Sequence, residues 1–451
     1  MFTHHKQSSK QHYREIKGQK EKFFRPFDKF FRPFNFPKRR FVKVLINNRI
    51  SKYYLKQSET VMDKISLTLA CFLSLFALRL MFFGYGRAAF RGFLSCFGGG
   101  REIIRTFAMV FQVFNIMVET NKNLKDFNTF SIDCIAREYA EFKGAEDFDM
   151  VQELYARRGG LRILGGGSNT VFAEEVFEGC VLRVCNRGIE VLEENEDFVV
   201  LRVAAGEVWR EFVRWCCEKM YCGLENLAAI YGTVGAAPVQ NIGAYGVQVA
   251  DYIERVECFN MATGEMRSVN ARDCEFDYRY SRWKKGNGNE LIYSVVFRLR
   301  KHFVPQTGYA AVARMLEDKE VKDLTPLAMC DMITDLRNSK LPDVTVLGNA
   351  GSFFKNPTVS EEVFERMKAE DENLVSFKED KGVKLSAAYL IERCGFKGKR
   401  FGNVGMHAKQ ALVLVNYGGA TGKEIVAFAK QVIETVYDKY GVRLEIEAHI
   451  V

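Results

Sequence analysis

The chain lacks the features that mark several common protein classes. Its 451 residues include 6 histidines, and none of them lies in a glycine-rich turn. The 12 cysteines show no zinc-finger spacing and no disulfide pattern, so we expect reduced thiols and no metal site. No Gly-x-Gly-x-x-Gly follows a predicted strand, which argues against a Rossmann dinucleotide site.

Acidic residues are scarce in the N-terminal quarter of the chain. Residues 1–116 hold 22 basic and 6 acidic residues, whereas the remainder holds 43 basic and 50 acidic residues. The formal charge of +9 therefore arises in the first segment. The mildly acidic remainder, called the body below, is not expected to bind nucleic acid.

Residues 1–116 also have no apolar run of membrane-spanning length. Residues 65–78 are uncharged and apolar, but the run stops at Arg79, short of the roughly 20 residues that a spanning helix needs. Three interpretations fit this extension: a leader upstream of a native start near Met117, a marginal membrane anchor, or a basic and aromatic arm for membranes or RNA. The change of composition after Met117 favours the leader.

Two glycine-rich turns in the body are typical of a bound phosphate or cofactor. The predicted strand Leu161–Leu164 runs into residues 165–170, where backbone without Cβ atoms can approach a pyrophosphate closely. Residues 232–246 are too apolar for a surface loop and too rich in glycine for a helix. Backbone packed flat against a large planar ligand, such as an isoalloxazine ring, accounts for that composition.

A serine within residues 348–357 has the setting of a proton donor. Ser352 lies between small residues and two aromatic residues, and Lys340 and Lys355 are near it in sequence. Cationic neighbours in a dry pocket would make a serine hydroxyl a better acid. Taken alone, the same residues are better explained as a turn leading into a short buried segment.

The body alternates predicted strands and helices. A strand is expected at Phe198–Ala204 and a helix from about Glu207. The buried face of that helix is predicted to hold Trp209, Phe212, Val213, Cys216 and Met220. Near the C-terminus, Thr421 and Glu424 form a capping box for a helix that Gly441 ends.

Together, the motifs of the body resemble those of the UDP-N-acetylenolpyruvoylglucosamine reductase family, from about Asn123 to the C-terminus. In the family's order they are Asn128-Thr129-Phe130, residues 164–169, 223–227 and 238–246, Tyr278-Arg279, and residues 340–343, 348–357 and 444–447. Each motif alone is modest, whereas eight in the right order are highly specific.

The resemblance implies an α+β fold. It would combine a two-part FAD-binding domain of the vanillyl-alcohol-oxidase/PCMH type with a C-terminal α/β substrate-binding domain. The first FAD-binding subdomain is expected at 117–181, completed by 438–451, and the second at 182–341. The substrate-binding domain is expected at 342–437, with 1–116 as a leader or disordered extension.

The implied activity is NADPH-dependent reduction of UDP-N-acetylglucosamine enolpyruvate to UDP-N-acetylmuramate in peptidoglycan precursor synthesis. FAD reduced by NADPH would pass a hydride to C3 of the enolpyruvyl group, and C2 would take a proton. The implied cofactors are FAD and NADPH, and the partners are small molecules. A cytoplasmic monomer is expected, with membrane contact only if the N-terminal extension is part of the native protein.

The resemblance also implies site residues. Arg279 would clamp the enolpyruvyl carboxylate, Ser352 would give the proton to C2, and Glu447, placed in the last strand, would polarise the site. The implied FAD contacts are Leu164, Gly165, Gly166, Gly167, Ser168, Asn169, Thr233, Gly235, Ala236, Ala237, Pro238 and Gly243. The implied substrate contacts are Tyr245, Tyr309, Arg337, Lys340, Asn356 and Gln410, and Tyr309 indicates the subclass with a tyrosine loop.

The chain departs from the family at the second glycine-rich turn. Tyr231 stands where the family usually has proline, which would loosen the turn, and Ala236 and Ala237 replace serines of some members, which would leave backbone contacts only. One alternative is another FAD-dependent oxidase or dehydrogenase of the same scaffold, although many of those carry flavin on a histidine. A second alternative is a non-enzymatic interaction protein, which the complete set of Arg279, Ser352 and Glu447 disfavours.

Overall fold

The computed structural model describes residues 118–157, 160–284, 288–317, 324–379 and 382–451. The predictions made for residues 1–116 lie outside these ranges. Within them, no helix combines the length and the hydrophobicity that crossing a membrane requires. All ten cysteines that the structure describes are free thiols.

The first sheet contains the strand that precedes the first glycine-rich turn. This part of the chain forms β1 (Val118–Asn123), β2 (Ile135–Phe142), α1 (Phe148–Ala156), β3 (Leu161–Leu164), β4 (Thr170–Val171) and β5 (Val176–Val184). The sheet has the order β1-β2-β5-β3, with β5 parallel to both of its neighbours and β1 antiparallel to β2. The predicted strand at 161–164 is confirmed, and its last residue, Leu164, is buried in the core beside this sheet.

The second sheet is antiparallel throughout. Its part of the chain forms β6 (Ile189–Glu194), β7 (Phe198–Ala204), α2 (Trp209–Glu218), β8 (Gly243–Ala244), β9 (Val247–Gln248), β10 (Ile253–Asn260), β11 (Glu265–Asn270) and β12 (Glu290–Arg300). The strand order is β11-β10-β12-β7-β6, and β8 and β9 form a separate short hairpin. The predicted strand at 198–204 is confirmed.

Helix α2 buries four of the five residues predicted for its core face. The indole Nε1 of Trp209 donates a hydrogen bond to the Leu227 carbonyl oxygen at 2.9 Å, which satisfies the polar atom of this buried ring. The prediction for Met220 is wrong, because the helix ends at Glu218 and Met220 adopts a left-handed backbone with φ of 60°. Its side chain therefore leaves the helical face and is 47% exposed.

The C-terminal part of the chain carries two further antiparallel sheets and most of the helices. Its elements are α3 (Ala310–Leu316), α4 (Pro326–Lys340), β13 (Gly348–Ser352), β14 (Thr358–Val359), α5 (Glu361–Glu370), β15 (Ser376–Glu379), β16 (Gly382–Leu385), α6 (Ala387–Arg393), β17 (Arg400–Phe401), β18 (Val404–Met406), β19 (Val413–Asn416) and α7 (Gly422–Tyr440). The sheets have the orders β13-β19-β18-β17 and β14-β16-β15.

Side-chain caps fix the ends of the two longest helices. In α7 the predicted capping box is confirmed: Glu424 N donates to Thr421 Oγ1 at 3.2 Å, and Thr421 N donates to Glu424 Oε2 at 2.7 Å. Gly441 ends this helix in the left-handed conformation, as predicted. In α4, Ala328 N donates to Thr325 Oγ1 at 3.1 Å. This cap defines the start of the helix whose last turn carries two cationic side chains.

The end of the chain returns to the first glycine-rich turn. The final strand, β20 (His449–Ile450), pairs in parallel with β4, which directly follows that turn. Glu447 precedes this strand and does not lie within it, contrary to the prediction, and its N–H donates to the Phe353 carbonyl oxygen at 2.8 Å. The return brings Glu447 against the residue that follows β13 and His449 against the strand that follows the first glycine-rich turn. The predicted α+β class is confirmed.

Candidate active site

A cavity of ≈ 1050 Å³ lies among the elements just described. Its wall combines main-chain turns with side chains that are far apart in sequence. Most of the lining residues come from five segments: residues 161–170, 230–245, 279–292 without 285–287, 337–352, and the chain end at Glu447 and His449. A cavity of this size is large enough for an extended cofactor together with a substrate.

The first glycine-rich turn packs directly against the second. A Cβ atom on Gly166 would lie 2.9 Å from the Gly232 Cα, and one on Gly165 would lie 2.7 Å from Thr233 Oγ1. Gly167 has φ of 62° and would bring a Cβ atom against the Phe127 carbonyl oxygen. Side chains are thus excluded from this contact, and the backbone of the turn forms the cavity surface.

Two buried hydroxyl groups in the cavity wall have no hydrogen-bond partner among the described residues. They belong to Thr129 and Thr233, and both residues line the cavity beside the glycine-rich turns. A buried polar atom without a partner costs roughly 1–3 kcal/mol. A polar ligand in the cavity would remove that cost.

The second turn holds residues with side chains in a backbone conformation that usually favours glycine. Asn241 has φ of 44° and Tyr245 has φ of 51°. Two hydrogen bonds of the Asn241 side chain stabilise this conformation. Its Nδ2 donates to Gln248 Oε1 at 2.7 Å, and its Oδ1 accepts from Ala250 N at 3.1 Å. Left-handed backbone held in this way is common at ligand sites.

Arg279 projects into the cavity from another left-handed position, with φ of 53°. Its Nε donates to Glu447 Oε1 at 2.9 Å, and its Nη2 donates to the Gly243 carbonyl oxygen at 2.7 Å. The guanidinium is therefore tied both to the end of the chain and to the second glycine-rich turn. A fixed, half-buried guanidinium is suited to binding a carboxylate in one orientation.

Glu447 is the buried carboxylate of this ion pair. Burial raises its pKa above the ordinary value, and the positive charges of Arg279, Lys284 and Lys355 oppose that rise. This carboxyl group accepts the hydrogen bond of the Arg279 guanidinium inside a wall that excludes most solvent.

Ser352 ends β13 and lines the same cavity as Arg279 and Glu447. Gly351 before it has φ of 68°, and Phe353 and Phe354 after it are fully buried. The aromatic pair thus anchors the segment in the core while the serine faces the cavity. Of the two lysines proposed as its cationic neighbours, Lys340 lines the cavity, whereas Lys355 pairs with Glu445 at 2.8 Å.

The end of α4 brings positive charge to the cavity. Arg337 and Lys340 both line it, and the Arg337 Nε has no hydrogen-bond partner among the described residues. Burial lowers the pKa of the Arg337 guanidinium. Nearby, the rings of Tyr245 and Tyr309 meet edge to face with centroids 5.5 Å apart. A buried guanidinium Nε without a partner, in a cavity wall, points to an anionic ligand.

Comparison with known proteins agrees with this geometry. Residues 342–451 match the family described as the UDP-N-acetylenolpyruvoylglucosamine reductase C-terminal domain, and residues 145–270 match an FAD binding domain family. The protein named UDP-N-acetylenolpyruvoylglucosamine reductase from Bdellovibrio bacteriovorus is 41% identical over 334 residues, or 74% of this chain and 99% of that protein. The one from Paraburkholderia phymatum is 44% identical, over 72% of this chain and 95% of that protein. The chain belongs to the UDP-N-acetylenolpyruvoylglucosamine reductase family.

The predicted fold of the reductase is confirmed as well: a two-part FAD-binding domain followed by a C-terminal domain of this family. A crystal structure of UDP-N-acetylenolpyruvylglucosamine reductase from Thermus caldophilus aligns with 74% of this chain and 98% of that chain, at 22% identity and a TM-score of 0.48. The reductase is an FAD-dependent oxidoreductase of peptidoglycan precursor synthesis, and the cofactors of its family are FAD and NADPH.

The residues of the cavity fit FAD. Turns from which a Cβ atom is excluded can lie against a pyrophosphate or a flavin ring, and the partnerless hydroxyls of Thr129 and Thr233 can bond to a polar ligand. Of the twelve residues predicted to contact FAD, all except Pro238 line the cavity. Pro238 is buried and begins a short 3₁₀ helix behind the wall.

The predicted substrate contacts divide in a similar way. Tyr245, Tyr309, Arg337, Lys340 and Gln410 line the cavity of the reductase. Asn356 does not line it, and its Oδ1 accepts a hydrogen bond from Ala387 N at the start of α6 at 3.0 Å.

Sequence reasoning missed several polar side chains of the wall. Gln240 Oε1 accepts from Asn169 Nδ2 at 2.6 Å, and His449 Nε2 lies 2.7 Å from Arg162 Nη1. Lys284 also lines the cavity. The first two pairs join residues 71 and 287 positions apart, so no local pattern predicts them. For Lys284 the available signal was its position five residues after Arg279, in the same turn.

Proposed function

We propose that the reductase converts UDP-N-acetylglucosamine enolpyruvate to UDP-N-acetylmuramate with electrons from NADPH. One observation carries this proposal: a single cavity is lined by the Arg279–Glu447 ion pair, by Ser352 and by the cationic end of α4. A substrate with a reactive carboxylate at one end and a diphosphate at the other needs these groups together.

FAD held by the glycine-rich turns would supply the hydride chemistry, by which a hydride taken from NADPH is passed to C3 of the enolpyruvyl group. The Arg279 guanidinium, held by Glu447 and by the Gly243 carbonyl oxygen, would bind the enolpyruvyl carboxylate as negative charge grows on it. The two fixed contacts leave its remaining N–H groups for the substrate. Glu447 orients the guanidinium and balances its charge while the site is empty of substrate.

Ser352 would give the proton that C2 requires. Its position at the end of β13 places it in the same wall as Arg279, and the buried aromatic pair that follows keeps water from its backbone. Of the two lysines near it in sequence, Lys340 lines the cavity and Lys355 pairs with Glu445. General acid catalysis of this kind contributes ~10²–10⁴-fold to a rate.

The other end of the substrate would lie against α4. Arg337 and Lys340 would bind the diphosphate, and the partnerless Arg337 Nε would gain an acceptor. Tyr245 and the partly exposed Tyr309 would cover the nucleotide, with Gln410 as a further contact and Asn356 reached after a side-chain movement.

We also propose which segment of the chain binds FAD and which binds substrate. Residues 117–181 with 438–451, and residues 182–341, would form the two halves of the FAD site, and residues 342–437 would bind substrate. The matched FAD and C-terminal family segments support these roles. A cytoplasmic monomer acting on small molecules completes the proposal.

The absorption spectrum of the purified full chain tests this function. A flavin band that bleaches with NADPH and returns anaerobically with UDP-N-acetylglucosamine enolpyruvate is the expected result. A band that bleaches and does not return would discard the proposed substrate, and a band insensitive to NADPH would discard the reductant. Flavin that stays with the protein after acid precipitation would favour a covalent flavin oxidase.

A further inference from the structure

Lys284 is a lysine in the cavity wall for which neither the fold nor the proposed reaction gives a role. It lies five residues after Arg279, and its Nζ donates a hydrogen bond to the Arg279 carbonyl oxygen at 3.0 Å. It forms no salt bridge with a carboxylate of the described residues. A half-buried ammonium is costly unless it is hydrogen-bonded, and here a main-chain carbonyl oxygen accepts from it.

The bonded carbonyl belongs to the strained residue of the site. Arg279 has φ of 53°, a conformation that residues with a Cβ atom avoid unless the surroundings hold it. Three contacts hold it here: Lys284 Nζ on its carbonyl oxygen, Glu447 on its Nε, and the Gly243 carbonyl oxygen on its Nη2. Two of these contacts fix the side chain, and the Lys284 contact acts on the backbone from which the side chain projects.

The charge of Lys284 also acts on the ion pair. Arg279, Lys284 and Lys355 all favour the ionised form of Glu447, and Tyr278 faces the same carboxylate. Lys284 itself faces Glu445 and His449 in addition to these groups. Burial and the nearby cations lower the pKa of Lys284. The Lys284 ammonium therefore lies near other positive charges. The negative charge of Glu447 and the hydrogen bond to the Arg279 carbonyl oxygen offset that repulsion.

We propose that Lys284 is a positioning residue, whose ammonium holds the left-handed backbone of Arg279 so that the guanidinium meets the enolpyruvyl carboxylate in one orientation. This inference rests on the proposed function, because it assigns Lys284 to the half-reaction that uses the enolpyruvyl compound. Flavin reduction by NADPH does not use the orientation of Arg279 and is independent of it.

The test is stopped-flow absorbance of the flavin in the full-length holoenzyme, with the two half-reactions followed separately. Lys284→Met keeps the length of the side chain and removes both the charge and the donor. Its reoxidation by the enolpyruvyl compound is expected to slow roughly ten- to hundredfold, the scale of a small misplacement of a catalytic group. Reduction by NADPH is expected to stay within about threefold of the wild type, well below that scale.

The pH profile distinguishes positioning from a general loss of structure. Without Lys284 the pKa of Glu447 rises further, so the acidic limb of the reoxidation rate is expected to move to higher pH. Lys284→Arg keeps charge and donors and is expected to restore both the rate and the limb. Lys301→Met, which removes a lysine from a surface ion pair with Glu194, is the matched control and should leave both unchanged.

Each other outcome counts against a defined claim. Reoxidation of Lys284→Met at the wild-type rate, with an unmoved acidic limb, overturns the positioning role. If both half-reactions slow equally, Lys284 supports the structure of the site and does not position Arg279. The same conclusion follows if Lys284→Arg has normal flavin content but does not recover the reoxidation rate. If Lys284→Met does not fold, the comparison of Lys284→Arg with Lys284→Gln decides, because only the first keeps the charge. A wild-type enzyme that the enolpyruvyl compound does not reoxidise refutes the proposed function itself.

Discussion

Arg279 and Glu447 are 168 residues apart and form one ion pair, with Nε and Oε1 separated by 2.9 Å. Arg279 lies in the turn between β11 and β12 of the second sheet. Glu447 lies just before β20, and its N–H bonds to Phe353, the residue after β13. The pair joins the two regions at the cavity wall. Its geometry depends on the whole body being folded.

The first prediction concerns the charge of that pair. Glu447→Gln keeps an acceptor for Arg279 and removes the anion, so the guanidinium loses its orienting charge. Reoxidation by the enolpyruvyl compound should slow by about 10²-fold, on the scale of losing one preorganised electrostatic contact, while NADPH still reduces the flavin. Glu434→Gln, at an exposed position of α7 that pairs with Arg443, is the control for stopped-flow comparison. Equal rates for the two variants would contradict a role for Glu447.

The second prediction concerns the proton donor. Ser352→Ala removes the hydroxyl without disturbing the buried aromatic pair behind it, so reoxidation should slow ~10²–10⁴-fold. Flavin reduction should be nearly unchanged, since that step needs no proton at C2. Ser268→Ala, on the exposed face of β11, serves as control. A loss below about tenfold in reoxidation would remove Ser352 from the role of general acid.

The third prediction concerns the contact of the two glycine-rich turns. In Gly166→Ala the new Cβ would lie 2.9 Å from the Gly232 Cα, so the turns must separate and the FAD surface must change. We expect weaker FAD binding, measured as flavin released during dialysis or by titration of the apoprotein. Gly308→Ala, where no heavy atom lies within 4 Å of the new Cβ, should bind FAD normally. Unaltered FAD affinity in Gly166→Ala would show that the turn does not touch the cofactor.

The fourth prediction concerns stability in acid. Burial and the neighbouring Arg162 and Lys284 lower the pKa of His449 from 6.5 to about 4. The unfolded chain binds a proton near pH 6.5 and the folded chain does not, so the neutral histidine contributes its full stabilisation above pH 6.5 and loses it as pH falls towards 4. The shift sets an upper limit of about 3 kcal/mol, and solvent screening reduces the expected loss to about 1–2 kcal/mol.

Urea unfolding between pH 7 and 4 measures this effect. The wild type should lose stability relative to His449→Gln over that interval, whereas His302→Gln, whose histidine is exposed, should follow the wild type. A constant difference between wild type and His449→Gln across the interval would show that His449 does not titrate differently in the folded state.

Sequence alone predicted the features that depend on neighbours in the chain. The strands at 161–164 and 198–204 and the capping box of Thr421 and Glu424 each follow from a few consecutive residues, and each is confirmed. The prediction that Met220 lies on the buried face of α2 was wrong, because a period of 3.6 residues cannot show where a helix stops. Helix α2 ends two residues earlier, and Met220 has a left-handed backbone.

The site was predicted through ordered motifs and could not be completed from them. Lys355 was predicted as a cationic neighbour of Ser352 because it is three residues away, and the structure shows that its Nζ binds Glu445, 90 positions further along the chain. Lys284 and the Arg162–His449 contact depend on tertiary packing that no spacing of residues records. The identity of the wall residues followed from motif order, and their partners followed only from the fold.

The position of Glu447 makes the site sensitive to the order in which the polypeptide is made. Every other proposed catalytic group is already present when residue 352 has been joined, yet the carboxylate arrives 95 positions later, just before β20 pairs with β4. A polypeptide that ends before residue 447 would carry the flavin turns and the serine without the carboxylate to which Arg279 donates. Translation must therefore reach these last residues before the guanidinium acquires its partner.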